Sequence, residues 1–172
     1  MTHKLTPDTK VPPLSLPLVG GGDFTLNAAP PENFTMVVFY RGLHCPVCKT
    51  YLEKLNGLAA GYADAGFDVV IASMNDAATA EQTAATWDIG NLKVAHSLSE
   101  ADARAWGLWI SRSIKEPEAD VFCEPGMAWV RPDGRLYMID ISNMPWARPD
   151  LEFLLSKVPM AVDKGYPARG GA

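Results

Sequence analysis

A run of five apolar residues, Met36-Val37-Val38-Phe39-Tyr40, is separated from Cys45-Pro46-Val47-Cys48 only by Arg41-Gly42-Leu43-His44. A continuous apolar run of strand length, bounded by loop residues, predicts a strand buried on both faces. Pro46 suits the first helical turn, where its missing N–H costs nothing. Tyr51, Leu52, Leu55, Leu58, Ala59 and Tyr62 then recur at helical spacing, and Gly66 closes the helix. A strand covered on both sides needs packing layers above and below it, which confines the chain to an α/β architecture.

The pattern continues downstream. Phe67 to Met74 predicts a second buried strand, and Asn75-Asp76 caps a helix through about Trp87. Leu92 to His96 predicts a short strand, and Ser99 caps a helix with Ala101, Ala105 and Leu108 facing inward. Residues 110–124 carry no regular pattern. Met127 to Val130 and Arg135 to Ile141 predict strands around Arg131-Pro132-Asp133-Gly134, with positive φ at Gly134. Asp150 to Lys157 predicts a last amphipathic helix. The strand–helix alternation implies parallel pairing, and the late hairpin adds antiparallel strands. The result is a mixed central sheet with helices on both faces.

Upstream, Leu14, Leu16 and Leu18 alternate, a Gly20-Gly21-Gly22 turn follows, and Phe24 and Leu26 alternate again. This predicts an N-terminal hairpin wrapped onto the body, with Pro17 making its first arm an edge. The 172 residues therefore read as one domain, 1–172, with a leader and hairpin over 1–33. The Gly/Pro/Ala-rich tail over 165–172 is expected to fray or to dock against a partner.

Fifteen basic residues against twenty acidic ones give a net charge of −5, which repels phosphate polymers and argues against nucleic acid as a partner. Met1 to Lys10 contains no apolar segment of a secretory signal, and no apolar run is long enough for a bilayer. The expected compartment is the cytoplasm, and no membrane partner is expected. Three cysteines, Cys45, Cys48 and Cys123, are too few and too odd for a secreted disulfide framework. A chain of this size buries about two-thirds of its unfolded surface and needs no covalent staple. These cysteines are therefore expected to act as chemistry.

A Cys-x-x-Cys at a strand–helix junction is a redox signal. At a helix N-terminus unpaired N–H groups favour an anion, so Cys45 is expected to be the thiolate that attacks. Cys48, one turn further in and shielded, is expected to resolve. Attack on a disulfide gives a mixed disulfide, and attack on a peroxide gives a sulfenic acid. Two other readings stay open: a pair of small buried residues, or half of a zinc site. Zinc would have to recruit from Cys123, His44, His3 and His96, and there is no second paired-ligand motif. The glycine triplet leads into a strand signal, so it is no nucleotide fingerprint. Neither a metal nor a cofactor is expected.

The segment Val38 to Cys48 resembles the peroxiredoxin-like branch of the thioredoxin superfamily, the alkyl hydroperoxide reductase/thiol-specific antioxidant group. The leader, the Pro-Asp-Gly hairpin and the ending Asn143-Met144-Pro145-Trp146-Ala147-Arg148-Pro149 follow the same order. The resemblance implies a thioredoxin-like fold and an antioxidant enzyme that reduces disulfides or peroxides through thiols. An external reductant of the thioredoxin or glutathione type would restore the dithiol, and a homodimer stays open as its assembly. The family pattern Pro-x-x-x-Thr/Ser-x-x-Cys is not met. Val38 and Gly42 occupy its places counted from Cys45, and Arg41 and Cys45 occupy them counted from Cys48. This favours disulfides over peroxides. The resemblance also implies that Glu124-Pro125 lines the substrate groove through a cis bond.

Around the pair, a cationic His44 would lower the pKa of Cys45, unless it is a solvent-facing loop residue. Arg41 would stabilise the thiolate or a peroxide oxygen, unless it forms a surface ion pair. Glu124 could shuttle a proton to Cys48 or be a solvated carboxylate. Cys123 could be a third redox thiol, although a buried small residue is the plainer reading. Trp106, Trp109, Trp129 and Trp146 read as core or interface aromatics. The leading expectation is a dithiol oxidoreductase. A peroxidase using the same thiols and a non-catalytic binding module are the alternatives.

Overall fold

The computed structural model describes residues 4–172. His3, a candidate zinc ligand, lies outside the described residues. The first apolar run forms β3 (Phe34–Phe39), buried at every position. It pairs in parallel with β4 (Phe67–Ala72), which pairs in parallel with β5 (Lys93–Ala95). On its other side β3 pairs antiparallel with β8 (Gly126–Val130), and β8 with β9 (Leu136–Ile141). The sheet order is β5-β4-β3-β8-β9, so the two strands buried at every position, β3 and β8, are neighbours inside the sheet.

Side-chain alternation along these strands splits the core in two. Met36, Val38, Tyr40 and Ile71 face α1 (Pro46–Asp64) and α4 (Leu151–Val162). Val37, Phe39, Val70 and Ala72 face the opposite way, toward Leu14, Leu16, Phe24 and Trp106. That second face is covered by α3 (Glu100–Ala105) and by a hairpin of β1 (Ser15–Pro17) and β2 (Asp23–Thr25). Ala84 and Trp87, at the end of α2 (Ala77–Thr86), pack on the α1 side.

Several details depart from the sequence reading. The inward positions of α3 are Ala103 and, just beyond it, Trp106 and Leu108; Ala101 is exposed and Ala105 half-buried. The helix is a turn and a half long, so its phase is set by the large Trp106 and not by its alanines. Residues 110–124 are ordered, with β6 (Ile110–Arg112) paired antiparallel to β7 (Val121–Cys123). Three-residue strands are too short to display a period. Helix α4 continues past Pro159, where Val158 and Ala161 pack on the core. The tail docks on its own chain: the Tyr137 hydroxyl donates to the Tyr166 carbonyl at 2.8 Å. No helix among the described residues is long and apolar enough to cross a membrane.

Candidate active site

Strand β3 passes its last backbone bond through Tyr40, whose N–H donates to the Ala72 carbonyl at 3.0 Å. The chain then turns sharply. Gly42 has φ +131°, a conformation L side chains rarely adopt, and a Cβ there would meet Asn75 Oδ1 at 2.6 Å. The same Asn75 Oδ1 accepts from the Leu43 N–H at 3.0 Å, which pins the turn to the loop after β4. The turn delivers Cys45 to the N-cap of α1, with Pro46 in the first helical turn. The cap is a sulfur: Cys45 Sγ accepts from the Cys48 N–H at 3.2 Å. An anion is favoured at that end of a helix.

Both sulfurs are sheltered, with Cys45 1% and Cys48 0% exposed. Arg41 Nη1 donates to Cys45 Sγ at 3.7 Å. The Cys48 thiol, the Cys48 backbone N–H and the Arg41 guanidinium hold the Cys45 thiol down at about 6, against burial that pushes the other way. Cys48 is displaced in the opposite direction. Burial, and then its hydrogen bond to Cys45, keep the proton on its sulfur. One thiolate and one thiol therefore share a helical turn, an arrangement suited to attack followed by internal resolution.

Arg41 is held from three sides. Its Nε lies 3.1 Å from Glu124 Oε2, its Nη2 lies 3.6 Å from Glu118 Oε1, and its guanidinium covers the Phe122 ring at 4.7 Å. Glu124 is buried, and Ser111 Oγ donates to its other oxygen at 2.7 Å. Both oxygens are thus engaged. Glu124 therefore anchors Arg41 and is not a solvated carboxylate. His44 is half-buried with its ring edge-on to Phe122. Burial and the neighbouring Arg41 push its pKa down, toward neutral imidazole, so the cation beside Cys45 is Arg41 and not His44.

The Glu124–Pro125 bond is trans; the cis X-Pro bond among the described residues is Glu116–Pro117. Pro125 lines a small cavity with Tyr51 and Arg148, while the groove beside Cys45 is walled by Val47, Ser111, Glu124 and Trp146. That groove has a volume of about 490 Å3. Cys123 is fully buried, its thiol donates to the Tyr40 carbonyl at 3.5 Å, and burial pushes it up to about 12. Burial thus favours the protonated thiol over the thiolate. Trp106 and Trp129 are core residues, whereas Trp109 and Trp146 are exposed. Among the described residues no three His, Cys, Asp or Glu side chains cluster as a metal site would require.

The residue in direct contact with a site sulfur that the sequence did not reveal is Arg148. Its Nη2 donates to Cys48 Sγ at 2.7 Å across 100 residues of chain. No local pattern marks it, because only the closing of the fold brings the segment before α4 against α1. Glu118 and Phe122 were missed for the same reason as β6 and β7.

A family model described as the AhpC/TSA family matches residues 7–139. No curated protein matches the chain. Among solved structures, a peroxiredoxin-like protein from Aquifex aeolicus aligns with TM-score 0.75 and 18% identity, covering 93% of this chain and 90% of its own. AhpC of Mycobacterium tuberculosis aligns with TM-score 0.75 and 14% identity, covering 95% and 96%. A Chlorobium tepidum protein described as a thiol:disulfide interchange protein, DsbE, aligns with TM-score 0.66 and 18% identity, covering 90% and 99%. At these identities the likeness is one of fold, which is thioredoxin-like.

Proposed function

The chain belongs to the AhpC/TSA family, a family of thiol-dependent redox proteins, and from that premise we propose that it is a dithiol oxidoreductase that reduces disulfides. The observation that carries this reading is Cys45 Sγ at the N-cap of α1, with the Cys48 N–H at 3.2 Å and Arg41 Nη1 at 3.7 Å. Cys45 attacks as thiolate and forms a mixed disulfide. Cys48 displaces the substrate thiol and closes Cys45–Cys48. A thiol donor of the thioredoxin or glutathione type restores the pair, on either a protein or a small-molecule pathway.

Two features favour a disulfide over a peroxide. Val38 and Gly42 stand where the family pattern has Pro and Thr/Ser, so no hydroxyl faces the sulfur from that turn. The groove is open and its rim carries large exposed apolar side chains beside charged ones, with Trp146 71% and Ile114 87% exposed next to Arg112 and Lys115, which suits a polypeptide better than a two-oxygen substrate. One observation favours a second reading, peroxide reduction: the Arg41 guanidinium beside Cys45 could also polarise a peroxide oxygen. A paired assay of insulin disulfide reduction and hydrogen peroxide consumption tests both. The first reading expects dithiol-dependent insulin reduction that Cys45→Ser abolishes, and peroxide turnover near that of a free thiol. Rapid peroxide turnover with no insulin reduction reverses the assignment.

A further inference from the structure

The two thiols have one arginine each, and the two arginines differ in how their charge is spent. Arg41 faces two carboxylates, Glu118 and Glu124, at 3.6 and 3.1 Å. Arg148 has no carboxylate within ion-pair distance among the described residues. Its guanidinium lies over the Tyr51 ring at 5.0 Å, its Nη1 points to the Val47 carbonyl at 3.5 Å, and its Nη2 donates to Cys48 Sγ at 2.7 Å. The Tyr51 hydroxyl in turn donates to the carbonyl of Pro149, the next residue, at 2.8 Å. Tyr51 stands three residues after Cys48, so both lie on one face of α1. The cation is thereby clamped to the same helix surface that carries the sulfur it touches.

We infer that Arg148 is a catalytic residue of the second half-reaction, where it stabilises the thiolate of Cys48 as that sulfur attacks the mixed disulfide on Cys45. This rests on the dithiol reading above. In the resting dithiol, burial and the neighbouring Cys45 thiolate oppose a second negative charge. Once Cys45 is bonded to a substrate sulfur its charge is gone, and the unpaired guanidinium is the nearest charge left to act on Cys48. The proton then leaves the Cys48 thiol. The new bond joins Cys48 Sγ to Cys45 Sγ, the bond from Cys45 Sγ to the substrate sulfur breaks, and its electron pair departs with the substrate thiolate. That thiolate, or water, takes the proton. Cys45 and Cys48 end as a disulfide and the substrate as two thiols, so no further oxidant or reductant enters.

The test follows a chromogenic aryl disulfide, dithiobis(nitrobenzoate), in stopped flow with the reduced full chain. The coloured thiolate is released once when Cys45 attacks and again when Cys48 resolves. Arg148→Met keeps the length over Tyr51 and removes the charge. It should leave the first release unchanged and slow the second by about tenfold or more, the effect of one pH unit in thiol acidity. Quenched samples should then carry the aryl group on Cys45 by mass, and Arg148→Lys should restore most of the second rate. An unchanged second phase in Arg148→Met, or equal slowing of both phases, overturns the inference. If the Met variant fails to fold, Arg148→Gln takes its place under the same criteria. Failure of the underlying reading has a different signature: Cys45→Ser would keep the fast first release.

Discussion

Cys45 is acidic because three donors converge on one sulfur and burial does not cancel them. Its thiolate absorbance should therefore titrate at about 6 in the reduced protein. Arg41→Met should move that midpoint upward by about one pH unit, since a charge-assisted bond is lost. A midpoint that stays put would assign the acidity to the Cys48 thiol and the Cys48 N–H without Arg41. The same depression affects stability, with a definite sign. The folded value lies below the roughly 8.5 of an unfolded thiol. The stabilisation is complete above about pH 8.5 and is lost as pH falls through about 6. Urea unfolding of reduced wild type and Cys45→Ser should accordingly differ more at about pH 9 than at about pH 5. The cysteines themselves were legible, because Cys-Pro-Val-Cys after a buried strand is a local pattern. Arg41 was legible as a neighbour of the thiolate, but the Arg148 contact to Cys48 and the pairing of Glu124 with Arg41 were not. Glu124 and Arg148 meet the site across long stretches of chain, and a residue type carries no record of which side chain it will face.

At the scale of elements, the site depends on the tight exit from β3 into α1. Gly42→Ala would force a Cβ against Asn75 and a side chain into positive φ. A loss of about 1–3 kcal/mol in denaturant unfolding is expected, with slower attack by Cys45 because the N-cap turn shifts. A variant as stable as wild type would mean that the Asn75 contact relaxes freely. Helix α1 is also tied to α4, where the buried Tyr62 hydroxyl donates to the Leu151 carbonyl at 2.7 Å. Tyr62→Phe should cost about 1 kcal/mol, as buried hydrogen bonds do. The long apolar strands and the capped helices could be read from the chain, because each repeats a period or shows a cap: Asp76 and Ser99 do cap α2 and α3. Strands β6 and β7 could not, since neither is long enough to alternate.

Across the whole molecule, the leader is part of the fold and not an appendage. Leu14, Leu16 and Phe24 share a core with Val37, Phe39 and Trp106 from the sheet and from the end of α3. Leu16→Ala should therefore destabilise the protein by about 2–5 kcal/mol, as core truncations do. A loss below about 1 kcal/mol would make the hairpin a loosely attached flap. The mixed sheet was legible from the order of elements, because alternation implies crossovers and a Pro-Asp-Gly turn implies a hairpin. The identity of the X-Pro bond that is cis was not, since that choice belongs to the loop joining β6 to β7 and not to the residues beside Cys45. The proposed chemistry requires Cys45 and Cys48 to form a reversible couple that excludes Cys123. The direct measurement is peptide mapping by mass spectrometry after one equivalent of a disulfide substrate. A two-dalton loss on a peptide bridging Cys45 and Cys48, with Cys123 still alkylatable after unfolding, is the predicted result. A bridge to Cys123, or no bridge at all, would contradict it.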